Sequence, residues 1–220
     1  MYGKCSLDLF LNQIDYSILK FKPALDFRAG FFFICMEIKQ AEYDWELQGI
    51  LDLQASNLES ALLSNDGIQD GFVTLKHDMN LLSQMNKEVP SIIAAMDQHV
   101  VAYSLCMSKN FRNDIPFLVP MFDLIDSLIF RDTPLSSVNY LIGGQVCVEK
   151  KYRGTGLFAK LYNKAKDLYT QTYPLMLTEV SDRNPRSLKA HLKCGFESIH
   201  QYSIDGSENW HILAWHWALS

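Results

Sequence analysis

Val146-Cys147-Val148-Glu149-Lys150-Lys151-Tyr152-Arg153-Gly154-Thr155-Gly156-Leu157-Phe158 is the stretch on which the reading of this chain turns. An apolar strand enters a turn with two glycines and passes directly into an amphipathic helix. The buried stripe of that helix is expected at Leu157, Leu161, Ala165 and Leu168. The first turn of a helix exposes unpaired backbone N–H groups at the positive end of its dipole, which suits an anion. Gly154 and Gly156 remove Cβ atoms where phosphate oxygens must approach the backbone, and Arg153 adds a fixed positive charge. A P-loop is excluded, because Gly-x4-Gly-Lys-Ser/Thr is absent. A dinucleotide fingerprint wants its third glycine at 159. Ala159 stands there, which that fold tolerates, and Glu179 follows 20 residues later. The turn by itself therefore leaves three readings open: a phosphate site, a dinucleotide site and a plain tight connection.

Working outward, Val138 to Val148 reads as a strand in which Gly143-Gly144 marks a bulge or a close backbone approach. Beyond the turn the pattern alternates: helix Leu157–Tyr169, strand Leu175–Val180, helix Pro185–Lys193, and strands Phe196–Ile204 and Trp210–Trp217. Upstream, Glu37 to Ala41 ends a strand. A helix follows with Asp44 and Glu46 in its first turn and Leu47, Ile50, Leu51 and Leu53 at helical spacing. A second helical stretch is expected from Leu58 to Ser64, broken by Asn65-Asp66-Gly67, with a short strand at Phe72–Leu75. Asp78 caps a helix that Pro90 stops. Ile92–Met96 and Val100–Met107 form a hairpin, and Pro116 to Phe130 a core-facing helix. No internal repeat is present. The order is that of an α/β (α+β) fold, a mixed sheet with helices on both faces.

Composition bounds the rest. The 220 residues are 48% apolar and 20% charged, enough for a packed globular domain. A formal charge of −5 argues against a broad nucleic-acid face, and no apolar run approaches the roughly 20 residues of a membrane span. Five cysteines without CxxC spacing, two of them (Cys106 and Cys147) inside apolar runs, point to reduced core thiols and a cytoplasmic setting. The six histidines show no ligand spacing, and no metal site is expected. Residues 1–30 lack a sustained period, so the compact domain is placed at 31–220, with Met36 an alternative start and a docked surface arm the plainer reading of 1–30.

Downstream of the turn comes Leu177-Thr178-Glu179, then Asn184, Ser187 and His191-x-Lys193-x-Gly195-Phe196. With Arg153-x-x-Gly156 these residues, in this order and spacing over about 138–204, resemble the GNAT N-acetyltransferase superfamily. The resemblance implies a GNAT-type, largely antiparallel twisted sheet flanked by helices, with acetyl-CoA as cosubstrate. It places Arg153, Gly154, Thr155, Gly156, Leu157 and Phe158 at the cofactor pyrophosphate, the backbone of Val146 and Val148 along the pantetheine arm, and Asn184 beside the cofactor. Phe158 departs from the family's usual Gly or Ala and must turn its ring away from the phosphates.

Acetyl transfer to an amine needs a base, an oxyanion donor and an acid for the leaving thiolate. Glu179 shares a strand face with Leu175 and Leu177, so burial is expected to raise its pKa and suit it as the base. Related ribosomal-protein N-terminal acetyltransferases carry a glutamate at the matching point; the other reading is a carboxylate paired with Arg183 or Lys189. His191 stands where many members have an acid tyrosine, and its other reading is a core histidine satisfied by a backbone carbonyl. The implied activity is acetyl transfer to a primary amine, of a small molecule or a peptide, in a direct ternary complex of a monomer or homodimer. A non-catalytic acetyl-CoA-binding domain is the alternative.

Overall fold

A computed structural model of the protein describes residues 36–58, 72–204, 206 and 208–217. The expected arm at 1–30, the boundary at 31 and all but Leu58 of the expected 58–64 helix lie outside them. In chain order the elements are β1 (Glu37–Gln40), α1 (Asp44–Ala55), α2 (Met79–Glu88), β2 (Ile92–Met96), β3 (His99–Ser108), α3 (Val119–Ser127), β4 (Ile129–Phe130) and β5 (Thr133–Pro134). Then come β6 (Tyr140–Val148), α4 (Leu157–Tyr169), β7 (Leu175–Ser181), α5 (Pro185–Cys194), β8 (Glu197–Ile204) and β9 (Glu208–His216).

Seven strands form one sheet in the order β1-β2-β3-β6-β7-β9-β8. Every neighbouring pair is antiparallel except β6–β7, which is parallel. The mixed, largely antiparallel sheet expected from the sequence is the one observed. Local chemistry explains the boundaries. The Asp78 carboxylate accepts from the Leu81 N–H and caps α2. Asp97 and Gln98 both take positive φ, the two-residue turn that matches the twist of a hairpin. Fully buried Glu46 accepts from the N–H groups of Glu42 and Tyr43 and pairs with Lys39 at 2.8 Å, tying the start of α1 to β1.

Three apolar clusters fill the two sides of the sheet. On one side Leu157, Leu161, Tyr162 and Ala165 of α4 pack on Met176, Leu213 and Trp215. On the other, Leu47 and Ile50 of α1 and Leu82 of α2 cover Ile93, Tyr103 and Leu105, while Met121, Phe122 and Ile125 of α3 cover Tyr140, Leu175 and Ile212.

Three expectations are corrected. Leu168 is 39% exposed, and Tyr162 and Tyr169 complete the buried stripe of α4 in its place. Phe72–Leu75 is not a strand; a single parallel bridge joins Val73 to Leu58, and side chains hold the rest. The span 116–130 is not one helix. It starts as a 3-10 turn at Pro116–Leu118 and continues as α3 with Pro120 in its first turn, where proline's missing N–H costs nothing. Leu128 then turns extended, and Arg131 and Asp132 at positive φ fold β4 onto β5.

Gly195, which ends α5, has φ +116°, and a Cβ there would meet Trp215 Nε1 at 2.8 Å. Gly195→Ala is expected to lower stability by about 1–3 kcal/mol in urea unfolding, combining backbone strain with overpacking.

Candidate active site

The site begins where two strands part. β6 and β7 pair only at Tyr140–Leu175, Leu141–Met176 and Ile142–Leu177. At the next position the register of β6 on β3 shifts, Leu105 facing Gln145 and Cys106 facing Gly143, so Gly144 is the extra residue of a bulge. The glycine pair marks a bulge as the sequence led one to expect. The Thr178 hydroxyl donates to the Gly143 carbonyl at 2.8 Å and closes the fork. Beyond it β7 continues with β9 and β6 with β3. The Glu149 N–H bonds Val101 on β3. Because strand backbone groups alternate, those of Val146 and Val148 point away from β3, into the gap. The Val148 carbonyl is taken there by Arg153 Nε at 2.9 Å.

A cavity of about 580 Å³ opens at this gap. Gly154 and Gly156 line it at φ +81° and +86°, and a Cβ on either would meet no atom within 4 Å. The backbone conformation requires glycine there, and the space above it is open. Among the described residues no side chain caps α4, so the N–H groups of its first turn face the same opening as Leu157 and Phe158. Arg153 is fixed at the edge, one nitrogen on Val148 and another 2.7 Å from Asn57 Oδ1. Thr155 turns its hydroxyl back onto the Tyr152 carbonyl. The Phe158 ring does turn from the glycine turn: it packs edge-on against His191, centroids 4.9 Å apart, and against Tyr162 at 5.0 Å. Asn184 caps α5 through the Ser187 N–H and donates to the Phe72 carbonyl, so it anchors the wall opposite.

Val146, Asn184 and Ser187 also line a second, smaller cavity of about 110 Å³ on the other side of the fork. Glu179 lies in it. Burial, with a smaller contribution from Glu208, pushes its carboxyl up to about 7. Its Oε1 is buried without a hydrogen-bond partner among the described residues, and Arg183 pairs instead with Glu208, at 3.9 Å. His191 is 2% exposed, and burial pushes its imidazole down to about 4. Its Nδ1 lies 2.8 Å from the Ser187 carbonyl, which fixes the proton on that nitrogen. Nε2 then accepts from the Tyr162 hydroxyl at 2.8 Å. The carbonyl bond is the one the structural reading of His191 required, and the phenol is a partner the sequence did not disclose.

Other residues escaped the sequence reading. Arg186, Lys189 and Lys193 line the larger cavity from one face of α5; their helical spacing was visible, but only the fold turns that face toward the glycine turn. Trp210 lines the smaller cavity, and its buried Nε1 has no partner among the described residues. Gln145 donates to the Leu75 carbonyl, while its own oxygen accepts from Tyr103 and Gln54, and Gln54 also bonds His77. This network, rather than strand pairing, holds Phe72–His77 as a wall. Cys147 and Cys194 line the larger cavity with thiols that burial pushes up to about 12 and about 11.

Comparison with known proteins agrees with this architecture. No curated protein sequence matches the chain. Among solved structures, the NatC complex bound to Gag peptide and CoA is 14% identical with a TM-score of 0.54, covering 82% of this chain and 98% of that one. The ribosomal-protein-S18-alanine N-acetyltransferase of Escherichia coli is 12% identical with a TM-score of 0.53 (83% and 94% covered). The yncA protein of Salmonella typhimurium with its cofactor acetyl-CoA is 15% identical, also at 0.53 (83% and 94%). At these identities the likeness is one of fold. The profile of the acetyltransferase (GNAT) family matches residues 68–196, more than half of the sequence, and the chain belongs to that family.

Proposed function

We propose that this acetyltransferase moves the acetyl group of acetyl-CoA directly to a primary amine, with both substrates bound at once. The observation that carries the reading is the junction of two cavities at Val146, Asn184 and Ser187. One is walled by an open glycine turn, the other by a carboxylate with a buried oxygen that has no partner among the described residues. The larger cavity fits the cosubstrate. Uncapped N–H groups of α4 and the open faces of Gly154 and Gly156 suit a pyrophosphate. Arg186, Lys189 and Lys193 supply charge for phosphates, and the strand edge at Val146 offers a hydrogen-bonding rail for an amide-containing arm. Leu157 and Phe158 belong to that cradle through their backbone, Arg153 and Thr155 by fixing its shape.

When bound, acetyl-CoA supplies an electrophilic thioester carbon and a thiolate leaving group. Glu179 accepts a proton from the incoming ammonium, directly or through a water, freeing the lone pair that forms the C–N bond. A backbone N–H of β6 at the fork, that of Val146 foremost, steadies the developing oxyanion. As the C–S bond breaks, the second proton of the former ammonium passes from the nitrogen of the tetrahedral adduct to the departing sulfur, and the product is a neutral amide. At neutral pH His191 carries its proton on Nδ1, so Tyr162 is the hydroxyl at this end of the cavity. His191 acts through it, holding the phenol in place and polarising it.

Thiol release from acetyl-CoA over a panel of amines tests the reading; binding of acetyl-CoA with no release from any amine marks a non-catalytic domain instead. Because Glu179 works as the anion, kcat/KM is expected to rise with pH and level off above about 7. Glu179→Gln should remove that limb and lower kcat by about 10²–10⁴. The same burial penalises the charged form, so its contribution to stability is present at low pH and lost as pH rises through about 7. Glu179→Gln is therefore expected to raise Tm at pH 8 more than at pH 5. Replacing Lys189 and Lys193 by Ala should weaken CoA binding more than dephospho-CoA binding, by about tenfold in the ratio of Kd values measured at low salt.

A further inference from the structure

The smaller cavity holds two buried polar atoms without partners among the described residues, and they are complementary. Glu179 Oε1 can only accept and Trp210 Nε1 can only donate. Glu179 faces Ile212 across the β7–β9 ladder, and Trp210 faces Ser181. The two side chains are thus diagonal neighbours on one sheet face, about 7–8 Å apart at Cα. A buried group left unpaired is costly, so a ligand that satisfies both at once is favoured over one that satisfies either.

Among the described residues no lysine or arginine lines this cavity, and Glu179 is the one carboxylate that does. Phe117, Leu118, Met121, Leu75 and Ile142 supply apolar wall, and the volume of about 110 Å³ is that of a few water molecules. An amine nitrogen and a carbonyl oxygen on adjoining carbons meet the two orphan atoms together. A lysine ε-amine carries only methylenes beside its nitrogen and leaves the indole unpaired. A free amino acid brings a carboxylate that no described lining residue neutralises, and a polyamine offers no carbonyl to the indole.

We infer that the acceptor is an α-amino amide with an apolar side chain, the chemistry of a peptide N-terminus. Glu179 engages its nitrogen and the Trp210 indole its first carbonyl. The inference rests on the acetyl-transfer reading above and narrows it. Phe117, 66% exposed, stands at the rim where the rest of such a peptide leaves the cavity.

The test is initial-rate thiol release at saturating acetyl-CoA with leucinamide, isopentylamine, leucine and Nα-acetyl-lysinamide, on the full chain and on Trp210→Phe. Leucinamide is expected to lead by at least about tenfold in kcat/KM, and Trp210→Phe to shrink the leucinamide-to-isopentylamine ratio about tenfold. That change in ratio cancels the different intrinsic reactivities of the two amines. An unchanged ratio in the variant, or turnover of leucine or Nα-acetyl-lysinamide matching leucinamide in the unaltered protein, overturns the inference while acetyl transfer stands. Absence of thiol release with all four compounds overturns both. The ranking in the unaltered protein decides the matter even if the variant fails to fold.

Discussion

A sheet is stable because neighbouring strands satisfy each other's backbone groups, and here one pair in the middle of the sheet stops doing so. β6 and β7 are parallel partners for three residues and then diverge at the Gly143-Gly144 bulge. The rest of the molecule accommodates that parting. β3 and β9 hold the two strands from outside. Thr178 pins the vertex, and α4 and α5 close one side while α3 and the 72–77 wall close the other. Backbone groups of Val146 face a gap instead of a strand, which is tolerable only where a solvent or a ligand meets them. Both cavities are consequences of this single departure from regular pairing.

Elements with strong local signals were legible in the sequence. The glycine turn, the Asp78 cap, the hairpin at Asp97-Gln98 and the alternation that buries Glu179 all depend on neighbours a few residues away, and the structure reproduces them. What escaped depends on distant partners. Gln145 reads as a polar residue in a strand, yet its role comes from Gln54, Leu75 and Tyr103, between 42 and 91 residues away. Tyr162 fell outside the expected stripe of its helix, and its hydroxyl acquires meaning only beside His191 on another helix. The helix expected over 116–130 shows the opposite failure. Its apolar spacing was real, but the 3-10 turn before Pro120 and the extended Leu128 divide it into pieces that share a buried face without sharing a helix axis.

The polar network behind the wall shows how position is enforced without regular structure. Gln54 gives both amide protons, to His77 Nδ1 and Gln145 Oε1, and its own oxygen accepts the His77 backbone N–H. Burial holds His77 down near 4, so the imidazole stays neutral and its acceptor nitrogen stays available. A connected network of this kind favours one arrangement strongly, since displacing any member strands several buried groups. Phe72, Val73 and Leu75 inherit that definition, although among the described residues only one strand bridge touches them.

The thiols of Cys147 and Cys194 stand in the compartment assigned to a thioester. A thiolate there would exchange acyl groups with the cosubstrate and become a parasitic acceptor. Burial holds these sulfurs at about 12 and about 11, leaving at most about one in ten thousand ionised at neutral pH. With acetyl-CoA in the cavity proposed for it, the apolar surroundings would act as insulation, letting an enzyme keep cysteine in its own reaction vessel without acylating itself.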